Sequence, residues 1–182
     1  MKPSIQRAAL SALLLSATAG IALAENNGRA PDGPQAAAPQ AVLVGACTDV
    51  TKVNYKSDDN TDKSTNSTSF VNVPNGGVSF TQGGTGSSCV IVTFTAEAFA
   101  GFSGLLQIRA RLDNSSIAAP GIVQLSGDDD EDGDGDWARA HAFTFIFPSV
   151  APGAHTVHMQ FRSVFFFEPV TIHRHTVVVQ HR

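Results

Sequence analysis

Apolar and polar residues alternate singly along most of this chain, and the alternation predicts strands. In Leu105–Asp113, Leu106, Ile108, Ala110 and Leu112 fall on one side, with Gln107, Arg109 and Arg111 on the other. That is one dry face and one wet face of a half-buried strand. Residues 154–166 repeat the pattern: His155, Val157, Met159 and Phe161 share one side, and Thr156, His158, Gln160 and Arg162 the other. Residues 137–147 set Phe143, Phe145 and Phe147 on one face, with Pro148 as the expected stop and Ala151-Pro152-Gly153 as a turn. Residues 89–99, 121–126 and 170–180 are further apolar, β-branched runs. Residues 69–73 and 78–82 flank Pro74-Asn75-Gly76-Gly77, and Asn-Gly between alternating runs predicts a hairpin turn.

Some eight to ten short strands, separated by Gly, Pro, Asn and Asp, predict an all-β fold: one antiparallel β-sandwich or jelly roll. No βαβ unit and no periodic repeat argues for a parallel sheet or a solenoid. The strand–hairpin rhythm and the late pair "PGAHTV…VTIHRHTVVV" resemble the C1q/TNF-like jelly rolls and other bacterial exported sandwiches. The resemblance covers about the last two-thirds of the chain. It implies a sandwich and assigns no residue a role, because such folds host many functions.

The first residues follow a different pattern. Lys2 and Arg7 precede a short Ala/Leu run, and Ala22-Leu23-Ala24 is a cleavage signal. Residues 1–24 therefore read as a secretory signal peptide, too short to span a bilayer as an anchor. Residues 25–40, rich in Pro, Gly, Asn and Ala, read as a flexible linker, and 41–182 as the sandwich domain. Removing 24 of 182 residues takes two cations and no acids, so the formal charge of −4 becomes −6. An acidic mature chain argues against nucleic acid as a partner, which calls for clustered Lys and Arg. Nothing later resembles a membrane span, so the expected location is periplasmic or extracellular. In an oxidising compartment the two cysteines, Cys47 and Cys89, are expected to bridge.

Chemistry-bearing residues cluster in the last third. Ser126–Phe143 holds five consecutive acids, Asp128–Asp132, and two more at Asp134 and Asp136. Asp128, Asp130, Asp132 and Asp134, with Gly133 and Gly135, match the first half of an EF-hand loop. The bidentate Glu is missing, since position 12 falls on Arg139 or His141, and no helix flanks the loop. Two readings stand: a solvated loop of repelling charges, or a weak Ca²⁺ site. Trp137 beside it would suit a Ca²⁺-dependent carbohydrate-binding module.

All six histidines lie between His141 and His181. Two residues apart on one strand, His173 and His175 are expected to share a face, where His158 on a neighbouring strand would complete a Zn²⁺ or Cu²⁺ triad. The competing reading is a polar face hydrogen-bonded across strands. Glu97 is an acid on an apolar strand, with Arg109 or Arg111 as expected partners. In Phe165-Phe166-Phe167, the alternation predicts burial of the outer two and exposure of Phe166 as a contact for a partner or a second copy. No G-x-S-x-G, H-E-x-x-H, Walker or Rossmann pattern occurs. The expected function is a non-enzymatic exported binding or structural module, with no cofactor unless the acidic loop takes Ca²⁺ and with an extracellular protein or carbohydrate as ligand. A metal-dependent enzyme built on the histidines is the alternative.

Overall fold

The computed structural model describes residues 47, 49–60, 62–101, 104–127 and 138–182. Among them are ten strands: β1 (Lys52–Asp58), β2 (Lys63–Thr65), β3 (Val71–Gln82), β4 (Ser88–Ala100), β5 (Leu105–Leu112), β6 (Ser116–Ile117), β7 (Val123–Gly127), β8 (Arg139–Val150), β9 (Gly153–Ser163) and β10 (Val170–His181). They form two antiparallel sheets. Sheet A runs β1-β10-β4-β8, with β2 also on β10; sheet B runs β3-β9-β5-β6, with β7 also on β5. The chain is an all-β sandwich, as the alternation predicts.

The dry faces meet between the sheets. Sheet A contributes Val90, Val92 and Phe94 from β4, Val177 and Val179 from β10, and Phe145 and Phe147 from β8. Sheet B answers with Leu106 and Ile108 from β5, Phe80 from β3, and Val157, Met159 and Phe161 from β9. Phe94, Phe145 and Phe161 are fully buried, and burying such a side chain contributes about 1.5–3 kcal/mol. A disulfide joins Cys47 to Cys89 at the start of β4, with Cα atoms 5.5 Å apart.

Three local readings of the sequence are corrected. Pro74-Asn75-Gly76-Gly77 is not a hairpin turn, because β3 runs straight through it. Asn72 pairs with Gln160 and Gly77 with His158, so β3 advances five residues while β9 advances two. The excess is a bulge. Asn75 supplies the left-handed backbone it needs, at φ 59°. Gly76 is held to glycine, since a Cβ there would sit 2.8 Å from that of Val73. Pro148 does not stop β8, which continues to Val150. It lies on a sheet edge, where the missing N–H costs nothing.

The third correction concerns β10. Ile172 pairs with Ala98 and His175 with Ala96, so β10 advances three residues against two. One extra residue reverses the side-chain parity. Opposite the kink, the edge of sheet A is itself broken between β1 and β2.

Candidate functional site

β5 and β9 are paired so that Gln107 faces Arg162, Arg109 faces Gln160 and Arg111 faces His158. Each of these alternates with a buried core residue, so all six stand on the outer face of sheet B. The wet sides of two amphipathic strands, some fifty positions apart in the chain, are thereby merged.

The array is held in place. Arg109 Nε donates to Gln160 Oε1 at 2.8 Å, and Gln160 Nε2 donates to Asn72 Oδ1 of β3 at 2.8 Å. Arg162 Nε and Nη2 both donate to Gln107 Oε1, at 3.0 and 2.8 Å, and Nη1 donates to the Thr68 carbonyl at 3.2 Å. Arg109 and Arg162 both lie over the Phe70 ring, with Cζ 4.1 and 4.7 Å from its centroid. The ring quadrupole attracts each cation and fixes the planes of both guanidiniums. Arg111 makes no hydrogen bond to the described residues, and its Nε is buried without a partner. Gly77 leaves room for the His158 ring; a Cβ there would meet His158 Nδ1 at 3.2 Å.

No carboxylate among the described residues lies within ion-pair distance of Arg109, Arg111 or Arg162. Partial burial, then the charges of Arg111 and Arg162, push the Arg109 pKa down. Asp113, at the end of the array, is already committed: its carboxylate accepts from His155 Nδ1 at 2.6 Å and from the Thr156 amide at 2.8 Å. The result is a cluster of like charges on a protein whose formal net charge is −4.

At the kink of sheet A the polar groups are saturated instead. Lys63 Nζ, buried, lies 3.2 Å from Asp58 Oδ2 and donates to the carbonyls of Asn60 and His173 at 2.7 and 3.0 Å. Those contacts occupy all three ammonium protons. Asp58 also accepts from the Asn75 side chain at 2.8 Å and the Asn60 amide at 2.9 Å. Those hydrogen bonds, Asn75 first, bring the Asp58 pKa down to about 2. The knot ties the break between β1 and β2 to the β3 bulge, and it is a structural device. An open cleft of about 440 Å³ lies over this region, lined by Ser57, Asp58, Thr95, Glu97, Arg174 and His175 among others. The Ser57 hydroxyl is bonded to Thr176 at 2.9 Å, not to the imidazole of His175.

The three histidines expected to share a face are dispersed. His158 belongs to sheet B and His173 and His175 to sheet A. The β10 bulge turns His175 inward, 3 % exposed beside Phe94, while His173 stays outside with Nδ1 2.5 Å from Asp62. Among the described residues no group of three His, Cys, Asp or Glu is placed to hold a metal ion. Burial pushes the His175 pKa down, and both ring nitrogens lack hydrogen bonds. The Asn75 backbone favours its charged form without hydrogen-bond geometry to either nitrogen.

Two further expectations are revised. Glu97 stands on β4 in sheet A, across from Ala140, while Arg109 and Arg111 are on sheet B. Phe165 and Phe167 are not buried with Phe161: β9 ends at Ser163, the alternation stops there, and Phe165, Phe166 and Phe167 are 43, 73 and 75 % exposed. His155 sits at the core edge beside Phe80, as its pattern predicts. Asp128, Asp130, Asp132, Asp134 and Trp137 lie outside the described residues. No described helix is long and apolar enough to cross a membrane.

Sequence reasoning missed Arg109, Arg111, Arg162 and Phe70 as a group. The available signal was that the wet faces of 105–112 and 154–162 carry three Arg, two Gln and a His but no acid. No protein family matches this chain, and no curated protein matches it in sequence.

Proposed function

We propose that this protein is an exported, non-enzymatic binding module that engages its ligand with the outer face of sheet B. The observation that carries the reading is the arginine array, oriented by Gln107, Gln160 and Phe70 yet without an acid partner among the described residues. Like charges crowded together cost stability, and folds tolerate such costs at functional sites. Side chains locked before a ligand arrives lose little entropy on binding it. Export is supported by the N-terminal signal pattern and the Cys47–Cys89 bridge. It places the module in the periplasm or outside the cell, among extracellular proteins and carbohydrates.

The test is a panel of neutral and charged polysaccharides and peptides, offered to the secreted chain and to a Phe70→Ala variant. Loss of the ring removes one support shared by both guanidiniums, so the variant should bind more weakly while retaining its β-sheet circular dichroism. Unchanged binding by the variant, or conversion of a bound polymer to product, contradicts the reading.

A further inference from the structure

We infer that the ligand of sheet B is an acidic polysaccharide, its carboxylate or sulfate groups seated on Arg109, Arg111 and Arg162; this rests on the binding-module reading above.

Donor chemistry comes first. A guanidinium presents N–H groups in a planar fork that matches the two oxygens of a carboxylate or sulfate. Arg109 spends only Nε on protein, so its fork of Nη1 and Nη2 is unspent. Arg111 has no hydrogen-bond acceptor among the described residues; its Nε is buried, so Nη1 and Nη2 are the donors left for a ligand. Arg162 is braced by Gln107 and Thr68 and adds charge more than donors. Donor groups outnumber acceptors here, which is the inverse of the saturated Lys63 knot. An anionic oxygen supplies what is missing.

Shape selects a polymer. The cations are spread along the outer face of sheet B, on β5 and β9. Residues two apart on a strand are about 6.8 Å apart along its axis, so Arg109 and Arg111 meet successive groups of an extended chain more readily than one small ion. A nucleic acid is disfavoured by one feature. Among the described residues Phe70 is the aromatic ring of this face, and both guanidiniums cover it, leaving no platform for a base.

The experiment is affinity electrophoresis of the secreted chain through gels containing polygalacturonate, dextran sulfate, neutral dextran or single-stranded DNA. It compares the parent, Arg111→Gln, and a Lys52→Gln/Arg174→Gln variant that removes charge from sheet A. The inference expects retardation by the two acidic polysaccharides and little by dextran or DNA. Arg111→Gln should weaken retardation about tenfold, as expected for one charge-assisted contact, and the sheet A variant less than twofold. Equal weakening by both variants overturns the inference, since it shows only bulk charge. Retardation by DNA as strong as by polygalacturonate overturns it in favour of a nucleic acid. Binding to neutral dextran that Phe70→Ala abolishes overturns the acidic ligand but leaves the binding module standing. Binding to no polymer in the set sinks the acidic polysaccharide.

Discussion

Arg111 stands directly across from His158, and among the described residues no acid is paired with Arg111. A cross-strand pair of cations is unfavourable when His158 is protonated, and the Arg109 charge adds to it. Replacing Arg111 by Gln therefore removes repulsion and breaks no hydrogen bond. The variant should be as stable as the parent or more so, by roughly 0.2–1 kcal/mol. Chemical denaturation measures this; a loss beyond 1 kcal/mol would show that Arg111 has a structural role.

His155 at the core edge and His175 inside it should pull the pH profile in opposite directions. His155 donates to Asp113 and places Nε2 2.8 Å from the Ala151 carbonyl. Two acceptors favour the imidazolium, and the Asp113 hydrogen bond is the main cause of its raised pKa. Burial opposes ionisation of Asp113, but hydrogen bonds from His155 and Thr156 outweigh it and lower that pKa. The stability His155 contributes is thus complete below its ordinary pKa of 6.5 and is lost as pH rises through the higher folded value. His175 does the reverse: its contribution is complete above 6.5 and is lost as pH falls toward the lower folded value. His155→Gln should flatten the alkaline side of a melting-temperature profile, and His175→Leu the acid side. His175→Leu should also raise stability at pH 5, because it removes a buried imidazole with no hydrogen-bond partner. A lower melting temperature for that variant at pH 5 would contradict the account.

Removing one member of the Lys63 knot should be severe. Lys63→Met leaves the Asp58 carboxylate buried with only its amide donors, and breaking a buried pair is strongly destabilising. The melting temperature is expected to fall by about 10 °C. Adding Asp58→Asn should recover part of that fall, because no unpaired charge then remains. A double variant less stable than Lys63→Met would refute the assignment.

Phe161 and Phe166 should behave as opposites despite lying five positions apart. Phe161 is 1 % exposed and Phe166 is 73 % exposed. Phe161→Ala should cost about 3–5 kcal/mol, and Phe166→Ser less than about 0.5 kcal/mol. Urea denaturation separates them.

Much of the fold is legible in the sequence wherever alternation is unbroken. Leu105–Leu112 alternates in burial as its pattern predicts, and the apolar, β-branched run 89–99 forms β4. Legibility fails at bulges. One extra residue between Ile172 and His175 reverses the face of every side chain that follows, and nothing in Thr171–Thr176 marks it. Asn75 supplies the same left-handed backbone to a turn or to a bulge, so the Asn-Gly dipeptide alone does not choose. The arginine array was hidden for a different reason. Each strand shows its own wet face, but pairing β5 with β9 depends on the sheet order, which a local pattern does not encode.

The most direct test of the proposed binding face is an NMR titration of the isotopically labelled protein with polygalacturonate oligomers, following the arginine Nε–H resonances. The Arg109, Arg111 and Arg162 signals should move together and saturate, Arg162 moving least because its guanidinium is already braced by Gln107 and Thr68. Arg174, on sheet A, should stay still. Shifts centred on Arg174, or none at Arg111 while the oligomer is bound, would contradict the account.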